Sequence, residues 1–178
     1  MRRIRYCVAM SLDGYIAGPN GEADWIVIDP DYDFAELYGE FDTYLVGRKT
    51  FESTGGQDQG SMRGVRTFVF SRTLQQSDYN NVTIVGDDWK DVVQSLREED
   101  GKKDIWLFGG GSLFRSLAEA GLVDTVEVAV IPTILGGGIP LVAEPSSRIG
   151  LRFEGHYVYK ETGTVSLIYS VVHSPEAS

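Results

Sequence analysis

Three stretches of the chain carry residue types suited to holding phosphate. Ile105 to Phe114 reads IWLFGGGSLF, an apolar run of strand length that meets three glycines and then an apolar-periodic segment. That pattern predicts strand, turn and helix start. Gly109, Gly110 and Gly111 carry no Cβ, so backbone can approach a ligand closely there, and the unpaired N–H groups of a new helix point into the same space. An anion suits such a turn, but tight packing explains glycines equally well. The G-x-G-x-x-G fingerprint is not met, because Phe114 stands where the third glycine would be. The second stretch is Thr43 to Val46 running into Gly47-Arg48-Lys49-Thr50, with Phe51 on a short helix; it is either a phosphate grip or a solvated basic turn. The third is Val65 to Phe70, which ends in Ser71-Arg72-Thr73 and sets a hydroxyl beside a guanidinium.

Carboxylates that could move a proton are fewer. Asp29-Pro30-Asp31 predicts a helix N-terminus, with Asp29 as cap, Pro30 in the first turn, Asp31 and Asp33 against the dipole, and Phe34, Leu37, Tyr38 and Phe41 as the buried face. Asp29 and Asp31 are thus candidate acids, and the structural role is the favoured one. Trp25, in a polar neighbourhood, is a core anchor or a pocket wall. His156 and His173 lack ligand spacing.

The elements that must position these residues follow from pattern. Ile4 to Met10 is a strand that Tyr15 to Ala17 continues briefly; Val82 to Val85 is another, and Trp89, Val92, Val93 and Leu96 space a helix. Leu113, Phe114 and Leu117 form the inner face of the helix after the glycines, with Gly121 closing it. Val123 to Ile131 is a strand. The second triplet, Gly136 to Gly138, is followed by proline and is expected to be a loop, as is Gly55 to Gly64. Leu151 to Lys160 and Val165 to Val172 form a hairpin about Glu161-Thr162-Gly163-Thr164, with Val165, Leu167, Tyr169 and Val171 on one buried face. Strands alternating with helices and then a hairpin give one α/β domain, its central sheet mostly parallel, flanked by helices, with an antiparallel edge. Parallel strands would bring the ends at Gly47, Ser71 and Gly109 to one edge, where such sheets bind ligands.

Composition limits the partners. At 178 residues, with 42% hydrophobic and 11% aromatic content, the chain suits one domain with a sizeable core. A net charge of −10 disfavours nucleic acid and anionic membrane surfaces, so an anionic ligand needs a local cationic cluster. A lone cysteine, Cys7, inside an apolar run fits a buried thiol in a reducing compartment, and the N-terminus lacks a signal peptide or span, so a cytoplasmic protein is expected.

Ser11-Leu12-Asp13-Gly14 with Ile16, Trp25, Val46 to Ser53, Ser71-Arg72, Phe108 to Gly111, Ala120 to Asp124 and Pro132 to Gly136 together resemble the dihydrofolate reductase-like superfamily. Within it the chain is similar to the reductase half of the bacterial deaminase-reductase of riboflavin synthesis. The resemblance spans nearly the whole chain. It implies NADPH as cofactor, with Gly47, Arg48, Lys49 and Thr50 on the phosphates and Arg48, Ser71 and Arg72 around the adenosine 2′-phosphate. It also implies Phe108, Gly109, Gly110, Gly111, Ser112, Leu113 and Phe114 at the pyrophosphate, and Ala9 and Ile16 beside the nicotinamide. Cys7, Trp25 and Phe34 fall on the substrate side, where a flat heterocycle would bind. The implied activity is NADPH-dependent reduction of a small heterocycle such as 5-amino-6-(5-phosphoribosylamino)uracil, by a homodimer; dihydrofolate reduction and a non-catalytic NADPH-binding module are the alternatives. Two departures stand out. Dihydrofolate reductases carry an acid two residues after a proline at the first helix, where this chain has Tyr32 or Pro30. The riboflavin reductases carry Asp-Pro-x-Leu and an arginine beyond the second strand, where Thr54 to Gly64 supplies only Arg63. The Cys and His spacing of a zinc deaminase is missing too.

Overall fold

The computed structural model describes residues 1–55, 64–101 and 103–173. The expected loop between Gly55 and Gly64, and with it Arg63, lies outside the described residues. The strands are β1 (Ile4–Ser11), β2 (Tyr15–Ala17), β3 (Phe41–Gly47), β4 (Arg66–Phe70), β5 (Thr83–Val85), β6 (Asp104–Gly109), β7 (Thr125–Ile131), β8 (Ile139–Pro140), β9 (Gly150–Val158) and β10 (Val165–Val172). The helices are α1 (Phe34–Gly39), α2 (Arg48–Ser53), α3 (Trp89–Glu98) and α4 (Gly111–Glu119).

Eight strands form one sheet in the order β5-β4-β3-β6-β1-β7-β10-β9. From β5 to β7 every pairing is parallel, and β10 and β9 add the antiparallel edge. The inner strands are apolar on both faces because both are covered. Ile4, Tyr6, Leu45, Ile105 and Leu107 pack on one side against Val93 and Leu96 of α3 and Leu113, Phe114 and Leu117 of α4. Cys7, Phe41, Tyr44, Val46, Val69 and Trp106 pack together on the other. Helix α4 ends as its glycine predicts: Gly121 has φ +70°, its N–H bonds Ala118 O at 3.0 Å, and the Leu122 N–H reaches back to Leu117 O at 2.9 Å.

Three expectations are corrected. The first helix starts at Phe34, not after Asp29, because it is Asp33 whose carboxylate accepts the Glu36 N–H at 2.9 Å. None of its residues is buried: Phe34 and Tyr38 are exposed, and Phe41 belongs to β3. Tyr15 to Ala17 does not prolong β1. The chain turns at Gly14, φ +92°, and β2 pairs with β8 in a separate antiparallel ribbon. Asp13 fastens this corner to the second glycine triplet, accepting from Leu135 N–H at 3.1 Å and Gly136 N–H at 2.8 Å. Far from the strand C-termini, buried Arg2 ties the other end of the sheet together through Asp42, Glu99 and Thr43. Among the described residues no helix is long and apolar enough to cross a membrane.

Candidate functional site

The carboxyl ends of β3, β4 and β6 lie side by side, with Gly47 opposite Phe70 and Val46 opposite Gly109. Over this edge and down the sheet face beside β1 and β7 opens a cleft of about 1490 Å³. At its β3–β6 end the two glycine segments touch: a Cβ on Gly47 would lie 3.4 Å from Gly110 N, and one on Gly110 would lie 3.1 Å from the Thr50 Oγ1. Gly111 is constrained from behind, where a Cβ would come within 2.7 Å of Pro140 O. The Gly109–Gly110 peptide is cis. Gly110 is the N-cap of α4, so the first N–H groups of that helix lack intrahelical acceptors, and the residues that carry them, Gly111, Ser112 and Leu113, line the cleft together with Lys49 and Thr50. The close-packing and phosphate explanations for the triplet are therefore compatible: all three glycines line the cleft, and Gly111 is also packed from behind against the segment at 140–143.

Gly47, Arg48, Lys49, Thr50, Phe108, Gly109, Gly110, Gly111, Ser112 and Leu113 all line the cleft, as do Ala9 and Ile16. Arg48 donates to Glu52 at 3.1 Å, one turn along α2. Phe114 does not line it. Its ring stacks on Tyr6 at 4.2 Å in the core, because the inner face of α4 turns toward the sheet. Ser71 and Arg72 line a neighbouring hollow of about 290 Å³, with Gln76, Ile84 and Gly86, beyond the ends of β4 and β5. The Ser71 hydroxyl accepts from the Thr73 and Leu74 N–H groups, and exposed Arg72 pairs with Asp87 at 3.1 Å.

The other end of the cleft is aromatic. Tyr159, Tyr32, Phe34, Tyr38 and Trp106 follow one another at centroid separations of 5.3, 4.6, 5.8 and 5.7 Å. Phe34 and Cys7 both line the cleft at this end. Burial pushes the Cys7 thiol well above its ordinary value, so it stays neutral. Trp25 is absent from the wall; half-buried, it donates its indole N–H to Glu22 O at 3.1 Å within its own loop, and Ile26, Val27 and Ile28 line the cleft instead.

Of the two candidate acids, Asp29 is committed to structure. Its carboxylate accepts from the Asp31 N–H at 3.0 Å and from the Thr162 N–H and hydroxyl at 3.0 and 2.9 Å. Desolvation works to raise its pKa, but these donors win and hold it below the ordinary 3.8, the opposite of what a proton donor needs. Asp31 is exposed and lines the cleft. The acid that sequence reasoning missed is Glu127, on the cleft floor beside Cys7. A signal was present: it is the only charge within the apolar run of β7, just as Arg5 is in β1.

A dihydrofolate reductase from Enterococcus faecalis, complexed with NADP(H) and RAB-propyl, shares this fold at a TM-score of 0.69 and 18% identity, over 96% of this chain and 97% of that one. The model of the RibD C-terminal domain matches residues 2–165. The chain belongs to the RibD C-terminal domain family. A putative riboflavin biosynthesis protein from Shewanella sp. PV-4 superposes at a TM-score of 0.78 with 25% identity, over 97% of this chain and all of that one. The uncharacterized protein YyaP of Bacillus subtilis is 35% identical over 94% of each chain. Membership assigns this RibD-type chain a reductase-like, oxidoreductase role.

Proposed function

We propose that the protein is an NADPH-dependent reductase of a small heterocycle. The carrying observation is the sheet order, which sets the cofactor-suited groups in a row along one edge. Moving out from β1, Ala9 and Ile16 would flank the nicotinamide; Gly109 to Ser112 on β6 and α4, with Gly47, Lys49 and Thr50 beyond β3, would hold the pyrophosphate. Ser71 and Arg72 beyond β4, with Arg48, would take the adenosine 2′-phosphate. Guanidinium groups suit a dianionic phosphate on a protein of net charge −10, and Arg48 and Arg72 would exchange their exposed partners Glu52 and Asp87 for it.

NADPH bound here would supply a hydride to the electron-poor carbon of a substrate C=N or C=O bond, whose π bond breaks and whose nitrogen or oxygen takes a proton. This chain's part is to hold the two rings face to face and to exclude water with the aromatic wall. Water admitted at the rim, with Asp31 placed to relay it, supplies the proton, since Asp29 is committed to Thr162. The family's ribosylaminopyrimidine and dihydrofolate are the substrates to assay first. We place the enzyme in the cytoplasm, for which its lone buried thiol is suited. We further propose that it is a homodimer, joined through the exposed apolar side chains on the face of the edge hairpin away from the cleft, among them Leu151, Phe153 and Val158.

Calorimetry with NADPH and NADH tests the cofactor assignment. NADPH is expected to bind at least tenfold tighter, and Arg48→Ala combined with Arg72→Ala to erase that preference. Equal affinities in the unaltered protein would sink the phosphate cluster.

A further inference from the structure

Glu127 is a carboxylate built into the floor of the aromatic half of the cleft. It accepts from Arg5 Nε and Nη2, both at 2.7 Å, and from the Thr125 hydroxyl at 2.8 Å. Arg5 does not line the cleft; it lies behind Glu127, over the Phe41 ring at 4.8 Å and in contact with Glu40. The side chain of Glu127 keeps 15% of its surface exposed, and its cross-strand neighbour is Cys7, whose neutral thiol offers only a weak donor. Burial works to raise the Glu127 pKa, but the Arg5 hydrogen bonds and charge outweigh it, so the group stays ionised.

We propose that this carboxylate selects the substrate: an uncharged or cationic amino-heterocycle whose N–H edge meets Glu127, rather than a phosphorylated one. This deepens the reductase function proposed above and rests on it. An ionised carboxylate is an acceptor only, so a ring presents it with amino or lactam N–H groups, and a protonated ring gains attraction as well. The rings of Tyr32, Phe34, Tyr38 and Trp106 offer flat apolar surface for the faces of such a heterocycle. Among the described residues, this end of the cleft offers a phosphate no cationic side chain. Among the described residues lining the cleft, the cationic side chains are Arg48 and Lys49. Both follow β3, which is separated from β7 by β6 and β1, hence about 14 Å away at the usual strand spacing. Asp31, Asp33, Glu36 and Glu40 also line the cleft and add to the cost of an anion buried without a partner.

The test compares 5-amino-6-ribosylaminouracil with its 5′-phosphate on the full chain, by calorimetry and by NADPH oxidation. The unphosphorylated compound is expected to bind at least tenfold tighter. A phosphate ester bound equally or more tightly, or no binding by either compound, overturns the proposal. Calorimetry needs no turnover, so the expected binding order without NADPH oxidation would defeat the reductase function while leaving the selectivity standing. A second measurement isolates the residue: Glu127→Gln is expected to weaken 2,4-diaminopyrimidine at least tenfold with the NADPH Kd unchanged. An unaltered diaminopyrimidine affinity overturns the role of Glu127. Should that variant fail to fold without the Arg5 pairing, the ligand pair on the unaltered protein decides.

Discussion

At the β3–β6 end of the cleft the ligand-facing groups are mostly backbone, glycines and two adjacent cations; at the β1–β7 end they are large side chains delivered by β1, β6, β7, the α1 segment and the C-terminal hairpin. The first end can hold any phosphate chain of the right shape, because N–H groups and cations read charge rather than identity. On the function proposed above, the second end would read a particular ring, through one clamped carboxylate and a succession of aromatic faces. If the two ends serve cofactor and substrate as proposed, affinity for the one and choice of the other are built by different means, and substitutions should separate them.

The largest separation is expected at Gly111. A side chain there meets Pro140 O at 2.7 Å and Ala143 N at 3.2 Å, both backbone, so either α4 or the segment at 140–143 must move. A displacement near 1 Å in a positioned site costs on the order of 100-fold. Gly111→Val should therefore weaken NADPH by about that factor, measured by calorimetry on protein whose circular dichroism shows the sheet intact. An unchanged Kd would mean that this end does not depend on close backbone approach.

The converse experiment is Phe34→Ala at the other end. Phe34 lies at the solvent-facing side of the wall and is not part of either core cluster, so its removal should leave folding alone. Stacking of a planar base on one aromatic side chain is worth about 1–3 kcal/mol, which predicts a KM for the heterocycle raised about tenfold with the NADPH Kd within a factor of two. Equal losses in both constants would show one undivided site.

The two ends also differ in how far sequence alone discloses them. Gly47 to Thr50 and Gly109 to Ser112 are contiguous, each at the end of an apolar run, so a local pattern was enough to pick them out. The parallel sheet was legible for the same reason, because buried strands read as short apolar runs bounded by turns. The substrate end depends on register. Cys7 and Glu127 become neighbours only when β1 pairs with β7; the lone charges Arg5 and Glu127 in two apolar runs hint at a pair, but not at which strands adjoin. Phe114 was ambiguous because one residue served two patterns, the glycine turn and the helix face, and packing on Tyr6 decided for the second. The first helix was misplaced for a related reason: Asp29 has the composition of a cap, but its partner Thr162 lies 133 residues further on.

That distant pairing supplies the smallest expected effect and a check on the division of labour. Asp29 joins the segment before α1 to the turn of the C-terminal hairpin, touching the rim of the substrate end without belonging to its chemistry. Its folded pKa lies below the ordinary 3.8, so its contribution to stability is present above that pH and is lost as pH falls through the folded value. Asp29→Asn should accordingly lower Tm at pH 7, with the gap to the unaltered protein closing below about pH 3.8, while NADPH affinity and the pH profile of kcat stay put. Thermal melts from pH 7 to pH 3 with parallel kinetics settle the matter. A gap that persists undiminished at pH 3 would deny the carboxylate its clamp, and a kcat lost with Tm unchanged would return Asp29 to proton transfer.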